Sequence, residues 1–277
     1  MDGRPIGVFD SGIGGLTVVR EMLNHAPAES IVYFGDTARV PYGTKSDKAV
    51  HSFAFQDTRF LLRHDVKMIV VACHTVSSVA LGRLKEAFPI PIVGVVEPGV
   101  AGALAATRNE RIGVIGTRAT VMSRAYEKNF ADDGRGVKVF TQACPLFVPL
   151  VEEGWLDGDV TLRIAERYLE PLKRNGIDTL VLGCTHYPLL KPVLQKVMGE
   201  GVTLIDSAEE TAKSVKSRLE RNGTVSGRDD APEPRFFVSD IPHHFLRVGA
   251  LCLGRNLNDV TQVDLESMDL NAASKIT

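Results

Sequence analysis

The sequence predicts an α/β protein of two pseudo-symmetric domains, each with a mostly parallel central sheet, and a site between them. Three observations carry this expectation. Short aliphatic runs alternate with helix-length segments, the pattern of parallel sheets. The ends of those runs recur: Phe9 matches Ile115, Phe34 matches Phe140, Cys73 matches Cys184 and Val96 matches Ile205, at offsets of 106, 106, 111 and about 110 residues. Two of the runs, KMIVVACHTVSS at 67–78 and TLVLGCTHYPLL at 179–190, end in a cysteine followed by a mix of Thr and His. Offsets this constant across four elements imply a duplicated domain rather than a solenoid. The expected partition is 1–98 with 208–277 as the first domain and 99–207 as the second.

Residues 6–9 read as a strand, followed by a turn with Gly12, Gly14 and Gly15 and a helix over 16–25. The turn has neither the G-x-x-x-x-G-K nor the G-x-G-x-x-G pattern of nucleotide loops. Its glycines either allow positive φ or build a backbone nest for a carboxylate. Residues 31–34 form the second strand, and 37–44 a turn-rich loop in which Tyr42 and Gly43, after Pro41, offer a hydroxyl and a backbone N–H to a pocket. A helix is expected over 48–64, a strand over 68–72, a helix over 77–88 ended by Pro89 and Pro91, and a strand over 92–96. The second half repeats the pattern with strands at 111–115, 137–140, 180–182 and 202–205. Ser207 and Glu210 form a capping box for a helix to 221. A Gly/Pro/Asp-rich loop, a strand at 236–239 and a helix over 242–253 complete the chain and pack back on the first half.

The 277 residues carry a net charge of −2, with 44% hydrophobic and 24% charged side chains, an ordinary globular composition. No basic surplus points to nucleic acid. No basic-then-apolar leader is visible, and no uncharged apolar run reaches the roughly 18 residues of a membrane span. Cys73, Cys144, Cys184 and Cys252 lie far apart without a C-x-x-C, so they read as reduced thiols of a cytoplasmic protein. Cys144 and Cys252 read as inert core residues.

Cys73 and Cys184 differ because each follows a strand at an equivalent place in its half. Ligands of open α/β sheets bind at that end of the strands. A helix N-terminus after each thiol is expected to lower its pKa. Zinc needs ligand spacings that Cys73-His74 and Cys184-x-His186 do not repeat. A Cys73–Cys184 disulfide would suit a redox enzyme, and a thiol with His186 as base would suit a hydrolase, although the hydrolase leaves one symmetric cysteine unused. A reaction between mirror-image molecules needs an acid and a base of like chemistry on opposite faces of one carbon. Two cysteines from two similar halves supply that. No cofactor motif is present, and none is expected.

FDSGIGGLTV (9–18), YFGDTARVPYG (33–43), VVACHTVSS (70–78), CPLFVPLVEEG (144–154) and LGCTHYPLL (182–190) together resemble bacterial glutamate racemases, in order, from residue 6 to about 250. Aspartate and hydantoin racemases share the two-cysteine plan but match the first two blocks less well. The resemblance implies cofactor-independent interconversion of L- and D-glutamate, with the D-isomer feeding peptidoglycan synthesis, in a cytoplasmic homodimer. It implies Cys73 and Cys184 as the acid/base pair, Asp10 assisting near Cys73, and His186 assisting at Cys184. Substrate would be held by Asp10, Ser11, Pro41, Tyr42, Gly43, His74, Thr75, Thr185 and His186, with Glu152 and Thr117 behind them. A racemase for aspartate or another acidic amino acid and a Cys-dependent hydrolase are the alternatives. The family usually reads A-C-N-T where this chain has Ala72-Cys73-His74-Thr75. Neutral imidazole offers one donor and one acceptor, as an amide does, but a protonated ring would attract a carboxylate and repel an ammonium.

Overall fold

The computed structural model describes residues 1–228, 232–240 and 245–265. Its first half runs β1 (Ile6–Asp10), α1 (Leu16–His25), β2 (Ile31–Gly35), α2 (Asp47–Leu62), β3 (Met68–Val71), α3 (His74–Val79), α4 (Leu81–Ala87), β4 (Ile92–Gly94) and α5 (Val96–Ala106). The second runs β5 (Arg111–Gly116), α6 (Arg118–Met122), α7 (Ala125–Asp133), β6 (Lys138–Ala143), α8 (Phe147–Glu152), α9 (Gly158–Arg174), β7 (Thr179–Gly183), α10 (Lys191–Met198), β8 (Thr203–Asp206) and α11 (Ser207–Arg221). The tail adds β9 (Arg235–Val238), α12 (Phe245–Leu253) and β10 (Val260–Gln262).

Two sheets result, ordered β10-β9-β2-β1-β3-β4 and β6-β5-β7-β8. Every pairing among the described strands is parallel. The two halves share one topology: each first strand lies between its second and third, and the fourth sits outside the third. β9 extends the first sheet beyond β2. The strands read as unbroken aliphatic runs because helices cover both faces. Along β1 and β3, Ile6, Val8 and Val70 face a core shared with Leu16, Val215 and Val248. Phe9, Ile69 and Val71 face the other core, with Phe60 and Leu61. This period-two alternation follows from the pleat. No helix among the described residues is long and apolar enough to cross a membrane.

Several expected boundaries move. The helix expected over 77–88 is two helices that begin at His74 and part at Ala80, whose φ of −117° lies far from the regular helical value. The strand expected over 92–96 stops at Gly94, and Val96 opens a helix. Pro98 sits in its first turn, where no intrahelical N–H bond is lost. The capping box at Ser207 is not formed. Asp206 is the N-cap, accepting from the Ala208 N–H at 2.9 Å, while the Ser207 hydroxyl donates to the Leu182 carbonyl at 3.2 Å. Of the helix expected over 242–253, residues 242–244 lie outside the described residues. None of Gly12, Gly14 and Gly15 has positive φ, so the turn after β1 uses glycine for close approach instead.

Candidate active site

The carboxyl ends of β1 and β3 in one sheet, and of β5 and β7 in the other, open into one cavity of about 500 Å³. In each sheet these two strands are the neighbours at which strand order reverses, the place where open α/β sheets bind ligands. Ser11, Cys73, His74 and Thr75 enter from the first sheet, with Pro41, Tyr42 and Gly43 from the loop after β2. Thr117, Glu152, Cys184, Thr185 and His186 enter from the second. Cys144 and Cys252 are buried and line no part of the cavity.

Cys73 is the N-cap of α3, and its thiol is buried. Burial, and then the Asp10 carboxylate, push that thiol up to about 12, against the Val76 N–H and the Ser11 hydroxyl. The expected lowering by the helix N-terminus is therefore overturned. α3 has only six residues and its N–H groups do not offset desolvation. Cys73 rests as a neutral thiol. On the other side, the Cys184 sulfur lies 3.8 Å from His186 Nδ1. Burial opposes charge on His186, but Cys184 and Glu152 outweigh it and raise the imidazole to about 10. Glu152 Oε1 stands 3.3 Å from His186 Nε2.

Asp10 does not line the cavity. It is fully buried behind Ser11, where Oδ2 accepts from the Gly12 N–H at 3.1 Å and steadies the turn. The Tyr42 hydroxyl also departs from expectation. It turns away from the cavity to Asp36 and Asp57. His74 lines the cavity with a buried ring stacked on Tyr126, centroids 6.5 Å apart and planes 18° apart. Burial drives its pKa down to about 3, so the ring is neutral and the attraction expected of an imidazolium does not operate.

The two sheets meet closely here. Thr75 and Thr117 hydroxyls lie 3.1 Å apart, and Thr17 donates to the Thr185 carbonyl at 3.1 Å. A Cβ on Gly14 would come within 2.6 Å of His186 Nδ1 and collide with the Thr185 hydroxyl.

Residues 6–215 match the profile of Asp/Glu/Hydantoin racemases. The chain belongs to this racemase family. It is 50% identical to the glutamate racemase of Geobacter metallireducens, over 96% of this chain and 99% of that one. Among solved structures, it superposes on glutamate racemase from Francisella tularensis in complex with D-glutamate with a TM-score of 0.90 at 39% identity, covering 97% of this chain and 100% of that one. A Bacillus anthracis glutamate racemase gives 0.92 at 41% identity, covering 96% and 99%.

The racemase cavity has further walls that sequence reasoning missed. Val40, Thr44, Pro145, Val148 and Pro149 supply apolar and hydroxyl surface. Arg118 is the one Arg or Lys among the described lining residues. It follows directly on Thr117 at the end of β5, so its position beside a strand end was the signal available.

Proposed function

We propose that this chain is a glutamate racemase that interconverts L- and D-glutamate by two-base proton transfer without a cofactor. The observation that supports it is the pair of buried cysteines, each delivered by the third strand of its own half to one cavity. In one direction Cys184 takes the α-proton and Cys73, resting as a thiol, gives its proton to the opposite face of the carbon. The reverse reaction exchanges the roles. One proton leaves the α-carbon and one is returned to its opposite face, so the carbon's electron pair is conserved and no external oxidant is required. Negative charge on the intermediate needs nearby donors, and protonated His186 is one. Arg118 suits a substrate with two carboxylates and one ammonium. Ser11, Pro41, Gly43, His74, Thr75, Thr185 and His186 are the substrate contacts in this reading, with Tyr42 holding the loop, Asp10 acting on Cys73 from behind, and Glu152 and Thr117 supporting His186 and Thr75.

The partition proposed is 1–98 with 208–277, and 99–207, with α5 and α11 as the two crossings. Supply of D-glutamate to peptidoglycan synthesis in the cytoplasm, and a homodimeric state, complete the reading.

Replacing Cys73 or Cys184 with Ala is expected to lower racemisation in both directions by roughly a thousandfold or more, the scale of a lost general acid or base. Polarimetry or circular dichroism from each enantiomer measures it. Substantial turnover by either variant ends the two-base scheme. In deuterated water the product enantiomer should carry solvent deuterium at early times while remaining substrate stays unlabelled.

A further inference from the structure

Beneath the cavity loop, two carboxyl groups are completely buried side by side. Asp36 follows β2, and Asp57 projects from α2; neither side chain is solvent-exposed. Between them lies the Tyr42 hydroxyl, 3.1 Å from Asp57 Oδ2 and closer still to Asp36 Oδ2. Arg39 reaches both acids, with Nε 2.5 Å from Asp36 Oδ2 and Nη2 3.2 Å from Asp57 Oδ1. Its guanidinium also lies over the Phe53 ring, 4.2 Å from the centroid, and Nη1 donates to Gln56.

Counting hydrogens gives the protonation state. A phenol has one hydrogen to donate, yet its oxygen sits between two carboxyl oxygens. If both acids were ionised, one carboxylate oxygen would face the phenol oxygen with no hydrogen between, inside the protein where that costs most. One guanidinium would also have to balance two buried negative charges. A second hydrogen resolves both problems. Asp36 is the acid better provided for as an anion: Arg39 is closer to it, and Ser239 Oγ donates to its Oδ1 at 2.8 Å.

We propose that Asp57 is kept as a neutral carboxylic acid that donates to the Tyr42 oxygen, and that the chain Asp57–Tyr42–Asp36–Arg39 is the clamp that positions the cavity loop. In it the Asp57 O–H donates to Tyr42, the Tyr42 O–H donates to Asp36, and Arg39 donates to both acids. Val40, Pro41, Tyr42, Gly43 and Thr44 all line the cavity, so a shift at Tyr42 is passed directly to its wall. Asp57 touches no part of the cavity and acts through Tyr42 as a positioning residue. The charged and titratable groups around it are Asp36, Arg39, Tyr42 and, from the end of β1, Asp10. Burial is the largest influence and raises the Asp57 carboxyl well above the carboxylate range; Asp36 and Asp10 add to it, and Arg39 and Tyr42 oppose it. The clamp is thus intact while the proton is held and weakens as pH rises through the raised pKa.

The test uses the whole protein and the variants Asp57→Asn, Asp57→Ala and Tyr42→Phe. Infrared spectra at neutral pH are expected to show a protonated-carboxyl C=O band that Asp57→Asn removes. The kinetic arm rests on the racemase reading. An Asn amide donates where the acid O–H did and accepts from Arg39, so its KM for glutamate should stay near wild type and lose the rise that wild type shows as pH passes the raised Asp57 pKa. Asp57→Ala and Tyr42→Phe should raise KM roughly three- to tenfold, the scale of one lost hydrogen bond, with a smaller change in kcat. Absence of the infrared band overturns the proposal, and so does an Asn variant as impaired as Ala. Should Ala not fold, the band and the Asn variant decide. A wild-type protein that shows the band but never racemises glutamate counts against the racemase reading alone.

Discussion

His74 stands where the resemblance leads one to expect asparagine, and its surroundings define what the histidine does there. Neither ring nitrogen has a hydrogen-bond partner among the described residues, although the side chain is buried against the cavity. Two unsatisfied polar atoms in such a place are costly unless a ligand or water meets them. With its pKa near 3, the ring stays neutral wherever the enzyme works. His74→Asn is therefore expected to change KM for glutamate by a few-fold while leaving the shape of the pH–rate profile unchanged; a displaced profile would refute the neutral ring. Stability gives a second readout with a defined sign. A histidine whose folded pKa lies below the ordinary value near 6.5 is protonated more readily in the unfolded chain, so folding weakens as pH falls below that value. Urea unfolding between about pH 6.5 and 4 should show a smaller acid loss for His74→Asn than for wild type. The identity of position 74 was legible in the sequence. Its neutrality was not, because that depends on Tyr126 and the opposite half closing over it.

At the scale of elements, the strand ends were legible and the turns after them were not. Buried parallel strands announce themselves as aliphatic runs, and each expected run in the two halves is a strand to within a few residues. The cysteines, His186 and Thr117 could be placed because they follow those runs directly. Side-chain direction in the turns depends on partners remote in sequence. The Tyr42 hydroxyl turns inward because α2 brings Asp57 beneath it, and no local pattern reports that. The break at Ala80 and the late strand β10 likewise lack a strong periodic signal. The turn from β1 to α1 makes the point testable. Its glycines suggested either backbone freedom or an anion nest, but Gly14 is where one sheet's turn presses against Thr185 and His186 of the other. The added methyl of Gly14→Ala meets the short Thr185 side chain and the His186 ring rather than the far end of a long flexible side chain, so these two must give way. Catalysis is sensitive to displacements of this size, with about a hundredfold loss per ångström. The expected result is a fall in kcat of roughly tenfold or more with a far-ultraviolet spectrum like wild type. Wild-type kcat in this variant would show that the two turns separate without consequence.

For the whole molecule, the strand order shared by the two halves explains why the site is made of matched parts. Equal strand order in the two halves brings β3 and β7 to equivalent positions, and a common cavity then receives one thiol from each. The halves are alike in backbone and unlike in charge. Cys73 sits with a buried carboxyl group behind it, whereas Cys184 sits beside a histidine whose pKa Cys184 itself and Glu152 raise. In the two-base scheme proposed above, a symmetric reaction would be served by this asymmetric resting state, with the Cys73 thiol already carrying the proton it donates. Because the cavity walls belong to both sheets, a bound ligand adds contacts to each of them, beyond the packing of α5 on α11 that already joins the halves. Glutamate should therefore stabilise the entire fold and not one half of it. Cys73→Ala gives a clean measurement, since it retains the binding groups of the reading above but cannot complete turnover. At a hundredfold excess over Kd the linkage is worth about 2.7 kcal/mol. For a chain of this size that raises Tm by about 5 °C, in a single transition, with either enantiomer. A transition that splits on adding glutamate, or a Tm indifferent to both enantiomers, would show that the ligand does not bridge the two sheets.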